Sequence, residues 1–136
     1  MIVLDSSFLI AFYNQRDSQH AAAAVLMDRF LAGEWGAGLL LEYVFLEVMT
    51  VLMVRRDVQV AVRVGRVLLD AQELEFVPCS DFFPDTFAGF SNQPGTHLSF
   101  TDAAIVLSAR SRADGLVLTF DQEFRRLDGI RALPEH

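Results

Sequence analysis

Cysteine is nearly absent: Cys79 is the one thiol in 136 residues, so no internal disulfide can form and no multi-cysteine zinc site is possible. Any metal must be held by oxygen or histidine ligands. Lysine is missing altogether, and all 11 basic residues are arginine. Although 52% of the residues are hydrophobic, no apolar run reaches the ~18–20 residues of a membrane-spanning helix, and a soluble protein without a membrane partner is expected. Met1-Ile2-Val3-Leu4 meets Asp5 at once, with neither the basic nor the apolar stretch of a signal peptide, which points to a cytoplasmic protein. The sequence also lacks G-x-x-x-x-G-K-[ST], G-x-G-x-x-G and G-x-S-x-G, so phosphate-loop, dinucleotide and serine-hydrolase chemistries have no anchor. His20, His97 and the terminal His136 show no ligand-like spacing and receive no role. Cys79, beside Pro78, reads as a small buried hydrophobe rather than a nucleophile.

The formal charge of −7 argues against a protein that coats nucleic acid through a basic surface. A nuclease remains compatible with it. Setting aside four acids around a bound cation leaves 14 acids against 11 bases, a nearly balanced remainder. The close pairs Arg55/Arg56, Arg110/Arg112 and Arg125/Arg126 could grip phosphate bidentately. Equally, they could be solvated helix ends favoured by the macrodipole.

The length suits one domain over residues 1–136, and no repeat or low-complexity linker divides it. Strand and helix patterns alternate. Strands are expected at Met1–Leu4, Trp35–Leu40, Leu74–Val77, Leu116–Thr119 and Ile130–Leu133. Helices are expected at Ser7–Tyr13, Ser18–Ala32, Leu41–Arg55, Val58–Ala71, Phe82–Phe90 and Phe100–Arg112, with a short turn after Asp121. Such alternation implies an α/β fold with a parallel sheet covered by helices on both faces, whose functional crevice lies beyond the carboxyl ends of the strands. Asp5 directly follows the first strand and Asp121 follows the fourth after one residue, so both address that rim.

Glu47 is the only charge between Val44 and Val54, and an ionised carboxylate on an apolar helix face costs several kcal/mol unless a cation or donors compensate it. A bound metal would serve, as would an arginine partner or emergence at a surface edge. Glu42, about 140° round the helix, reads as a helix-start acid. Ser99-Phe100-Thr101-Asp102 is a capping box, yet a first-turn side chain also projects toward the strand-end rim. Asp5 and Asp121 have their own alternative as helix caps. Taken jointly, four acids that one crevice could collect suit a hard divalent cation, which requires several carboxylate oxygens.

The stretches Ile2-Val3-Leu4-Asp5-Ser6-Ser7-Phe8-Leu9-Ile10, Glu42-Tyr43-Val44-Phe45-Leu46-Glu47-Val48, Leu98-Ser99-Phe100-Thr101-Asp102-Ala103 and Leu118-Thr119-Phe120-Asp121-Gln122-Glu123-Phe124 resemble the PIN-domain family in order and spacing, especially the VapC-type toxins of toxin–antitoxin pairs. The likeness runs from Ile2 to about Leu133. It implies a three-layer fold with a central parallel sheet flanked by helices. It also implies that Asp5, Glu47, Asp102 and Asp121 form the family's acidic cluster, with Ser7 and Thr119 supporting it by hydrogen bonds. The chain departs from the pattern at Leu40 and Leu41, where relatives often carry a small hydroxyl residue, and at Leu46, where some carry a second acid.

The resemblance implies a ribonuclease using Mg²⁺ or Mn²⁺ to cut RNA into 3′-hydroxyl and 5′-phosphate ends, with a cognate antitoxin and a homodimer as protein partners. Two alternatives stand beside the toxin: a housekeeping RNA-processing nuclease of the same fold, and a non-catalytic interaction module whose acids merely cap helices. An antitoxin needs an apolar seat, and Ala21–Met27, Val44–Val54, Phe8 and Phe12 offer more apolar surface than one sheet readily covers.

Overall fold

A computed structural model describes residues 1–135; His136 lies outside them. Five strands, β1 (Ile2–Leu4), β2 (Gly38–Leu41), β3 (Leu74–Val77), β4 (Leu116–Leu118) and β5 (Arg131–Leu133), form one sheet in the order β3-β2-β1-β4-β5. Every pairing is parallel, with Val3 opposite Leu39 on one side and opposite Val117 on the other. The strands are short and almost wholly apolar because helices cover both faces of a parallel sheet. Accordingly, Ile2, Val3, Leu4, Leu39, Leu41, Val117 and Leu118 are fully buried.

Six α-helices flank the sheet: α1 (Ser6–Tyr13), α2 (His20–Leu31), α3 (Glu42–Arg55), α4 (Val58–Asp70), α5 (Phe83–Ser91) and α6 (Phe100–Arg112). The first four pack in succession, α2 on α1, α1 on α3 and α3 on α4, while α5 packs on α6, which lies against β1 and β4. Short 3-10 turns occupy Ser80–Phe82 and Gln122–Arg126. Helix starts follow local chemistry. Asp57 accepts from Val60 N to begin α4, and Ser99 begins α6 through a full capping box with Asp102. Gly115 sets the approach to β4: its φ is +80°, and a Cβ there would collide with the Gly129 carbonyl.

The strand order carries the functional geometry. From β1 the chain builds outward through β2 to β3, then returns to the other side of β1 for β4 and β5. The reversal lies between β1 and β4, where a crevice opens beyond the strand ends. Asp5 and Thr119 are the first residues past those two strands.

The observed elements follow the expected alternation, with two boundaries displaced by more than one residue. β2 begins at Gly38 rather than Trp35, because Gly33 and Gly36 turn the chain with φ of +86° and +76°. Between them Trp35 lies under the Arg29 guanidinium, 4.9 Å from its ring centroid. α2 begins at His20 rather than Ser18, since Asp17 Oδ1 takes the Gln19 N–H in a turn. No helix among the described residues is long and apolar enough to cross a membrane.

The expected apolar surplus is present, though not wholly where anticipated. Phe8 is fully buried and Phe12 half-buried, so neither offers open surface as expected, because both pack into the core beneath α1. The expected stretches Ala21–Met27 and Val44–Val54 do expose Val25 on α2 and Leu46, Met53 and Val54 on α3, and α4 adds Val58, Val62, Val67 and Leu69.

Candidate active site

Asp5 anchors the site. It is the N-cap of α1, its Oδ1 accepting the Ser6 N–H at 2.8 Å, and it is only 3% exposed. Its Oδ2 accepts from the Thr119 hydroxyl at 2.7 Å and the Ser7 hydroxyl at 2.8 Å. Those hydroxyls lie 3.2 Å apart, and Ser7 Oγ also accepts the Phe120 N–H at 2.9 Å. Strand β1's end is thereby stitched to that of β4. Ser7 and Thr119 thus both donate to Asp5 from the ends of α1 and β4.

Glu47 reaches the same place from α3, where its Oε2 accepts from the Ser6 hydroxyl at 2.8 Å. Asp102 comes from the first turn of α6; its Oδ2 meets the Ser99 N–H at a long 3.4 Å, and Ser99 Oγ accepts the Asp102 N–H at 3.1 Å. Asp121 accepts the Glu123 N–H at 3.0 Å, starting the turn after β4, while its own N–H donates to Thr119 Oγ1 at 2.9 Å. All four acids line one open cavity of about 480 Å³.

Charge is poorly compensated there. Among the described residues no arginine forms an ion pair with any of the four. Burial raises the Asp5 carboxyl above its ordinary value and the Glu47 charge adds to this, against the lowering effect of the Thr119, Ser7 and Ser6 hydrogen bonds. Asp102 is pushed up to about 6, first by burial and then by the charges of Asp5 and Asp121. Uncompensated carboxylates that raise one another's pKa are what a divalent cation would relieve. The donor set is carboxylate oxygen, so the residues fit such an ion in kind. No three Asp, Glu, His or Cys side chains among the described residues stand at ligand spacing in this arrangement.

Of the alternatives open for Glu47, the structure takes emergence at a surface edge: the residue is exposed. It stands at the open wall of the cavity, because the face of α3 that carries it turns away from the apolar face formed by Val44, Val48 and Leu52. Glu42, the helix-start acid, points elsewhere: its Oε1 accepts the Cys79 N–H at 2.9 Å. Cys79 is buried, as expected, and burial raises its thiol pKa, which fits an inert side chain.

Two cavity residues escape a reading of the sequence. Ser6 lacked any signal beyond its neighbour Asp5, because its bond to Glu47 depends on how α1 meets α3. Arg55 was visible only as half of an arginine pair, yet it lines the acid cavity. Its neighbour Arg56 turns to Asn14 Oδ1 at 3.4 Å. Arg112 pairs with Glu75 at 2.6 Å, and Arg110 donates to the Asp128 carbonyl at 2.7 Å.

The PIN domain family model matches residues 2–130. Among solved structures, the chain is similar to VapC20 of Mycobacterium tuberculosis, described as a Sarcin-Ricin loop cleaving toxin, with TM-score 0.82 and 21% identity over 96% of this chain and 97% of that one. It is also similar to VapBC2 of Rickettsia felis bound to a DNA fragment from their promoter, with TM-score 0.63 and 14% identity over 97% of each chain. No curated protein sequence matches it.

Proposed function

The chain belongs to the PIN domain family, and on that premise we propose that it is a metal-dependent endoribonuclease, the toxin of a toxin–antitoxin pair, working as one nuclease unit over residues 1–136. The observation that carries the reading is the gathering of Asp5, Glu47, Asp102 and Asp121 on one cavity at the strand reversal, with no arginine among the described residues ion-paired to any of them. In this reading Asp5, Glu47, Asp102 and Asp121 hold Mg²⁺ or Mn²⁺, and the protein acts in the cytoplasm. The bound ion supplies Lewis-acid charge and a lowered water pKa.

The chain's own residues prepare that chemistry. Thr119 and Ser7 spend their protons on Asp5 Oδ2, which orients the carboxylate and partly offsets the effect of burial on its charged form. Ser6 holds Glu47 on the opposite wall. Asp102, its carboxyl pushed up to about 6 by burial and by the charges of Asp5 and Asp121, would be returned to its ionised, ligating form by a neighbouring cation. Attack by water on phosphorus, with the 3′-oxygen leaving and taking a proton, gives the 3′-hydroxyl and 5′-phosphate ends that the family likeness implies, and no ribose 2′-hydroxyl takes part.

The toxin part of the reading draws on the two solved neighbours, one a Sarcin-Ricin loop cleaving toxin and the other VapBC2 bound to a DNA fragment from their promoter. The apolar side chains on α2, α3 and α4 supply surface for a homodimer and for an amphipathic antitoxin segment. The test is incubation of the purified chain with mixed cellular RNA, with Mg²⁺, with Mn²⁺ and with chelator. Cleavage in both metals and none in chelator is expected; intact RNA throughout refutes the nuclease.

A further inference from the structure

The acid cavity contains one basic side chain. Among the described residues lining it, Arg55 stands alone against Asp5, Asp17, Glu47, Asp102 and Asp121. Helix geometry places it there: Glu47, Val51 and Arg55 recur every four residues along α3 and so share the face that forms the cavity wall. Roughly 12 Å of helix axis separates Arg55 from Glu47.

The guanidinium is loosely held. Its Nη1 lies 3.9 Å from Asp17 Oδ2, beyond hydrogen-bond length, and the Arg55 side chain is 57% exposed. Arg29 and Arg112, by contrast, grip their carboxylates with two nitrogens each, at 2.6 and 2.9 Å. Asp17 commits its other oxygen to the Gln19 N–H at 2.8 Å. Arg55 is therefore parked beside an anion without being locked to it, at the edge of a cavity otherwise hostile to polyanions.

We propose that Arg55 is the phosphate clamp of this nuclease, binding a backbone phosphate of the RNA away from the scissile bond; the proposal rests on the nuclease reading. Its planar fork can donate two N–H groups to two phosphate oxygens, and little is lost when a 3.9 Å ion pair is exchanged for such a contact. A phosphate contact fixes register without reading sequence. Asp17 holds the guanidinium on station until substrate displaces it.

The test compares the full chain with Arg55→Ala, Arg55→Lys and Asp17→Asn in cleavage of a single-stranded RNA oligonucleotide across a salt series. Arg55→Ala should raise KM about tenfold with kcat nearly unchanged, and should reduce the slope of log(1/KM) against log salt by about 0.7, the value for one lost phosphate contact on a single strand. Arg55→Lys should recover part of both. Asp17→Asn, which can still accept from Gln19, should not raise KM, because it removes a competing anion. Equal effects of Arg55→Ala and Asp17→Asn on KM and melting temperature would mark a merely structural pair and overturn the proposal, as would an unchanged KM and slope in Arg55→Ala. A wild-type chain that neither binds nor cleaves RNA overturns the nuclease reading and this inference together; an active chain indifferent to Arg55 overturns the inference alone.

Discussion

The Ser6 hydroxyl donates to Glu47 Oε2 at 2.8 Å across 41 positions of sequence. Ser6 is the first residue of α1, and its N–H meets Asp5 Oδ1, so one helical turn fixes two carboxylates from distant segments. The bond matters because Glu47 is exposed, and a free glutamate side chain would sample several rotamers.

Removing that hydroxyl should loosen Glu47 without unfolding the chain. Ser6→Ala deletes one hydrogen bond of about 1 kcal/mol, while the backbone cap onto Asp5 remains. Divalent-ion affinity should fall roughly tenfold, the usual cost of a lost supporting partner at a metal site. Calorimetric titration with Mn²⁺ reads this directly; an unchanged affinity would mean that Ser6 does not position Glu47.

Stability without metal should fall as pH rises. Asp5 and Asp102 have folded-state carboxyl pKa values raised above their ordinary ones, so the folded chain holds more protons than the unfolded chain between those limits. Stability then decreases with increasing pH through that window, for Asp102 from about 4 up to about 6. In chelator, Asp102→Asn should lose part of this decline and melt higher than wild type at pH 7. Parallel melting-temperature profiles for the two proteins would contradict the origin assigned to the shift.

Divalent ions should reverse the penalty. At 100-fold excess over the dissociation constant, Mg²⁺ or Mn²⁺ stabilises the folded chain by about 2.7 kcal/mol, or several degrees in melting temperature. Monovalent salt at matched ionic strength should not reproduce the shift. A melting curve indifferent to millimolar Mg²⁺ and Mn²⁺ would speak against a preformed site.

Much of this arrangement was legible in the sequence because parallel strands are continuous apolar runs and the acids follow them directly. Ile2–Leu4 running into Asp5 is both a buried strand and the cap of the next helix. Ser99-Phe100-Thr101-Asp102 announced a capping box that the structure forms in full. What stayed hidden depends on how elements meet. The exposure of Glu47 follows from which face of α3 packs inward, and that helix is so apolar all round that periodicity could not choose. The bond from Ser6 and the place of Arg55 at the cavity likewise arise from α1 and α3 meeting, which no local spacing encodes. Phe8 looked like surplus surface for the same reason, yet it fills the core.

Toxin and antitoxin should be separable by expression. The chain alone should slow host growth, and co-expression with the product of an adjacent upstream frame should yield a stable complex with no cleavage. Size-exclusion chromatography with light scattering should show a dimer of the chain. A harmless monomer that binds no neighbouring gene product would leave the nuclease and remove the toxin.

The central claim is that the four acids act as one metal-holding, RNA-cleaving set. Single-turnover cleavage of RNA at saturating Mg²⁺ by Asp5→Asn, Glu47→Gln, Asp102→Asn and Asp121→Asn, each checked for fold by circular dichroism, tests it most directly, since each exchange removes a charge and keeps the shape. The account predicts that every variant loses roughly 100-fold or more in rate, with products of the wild type ending in 3′-hydroxyl and 5′-phosphate. Wild-type rates in two or more folded variants would contradict it.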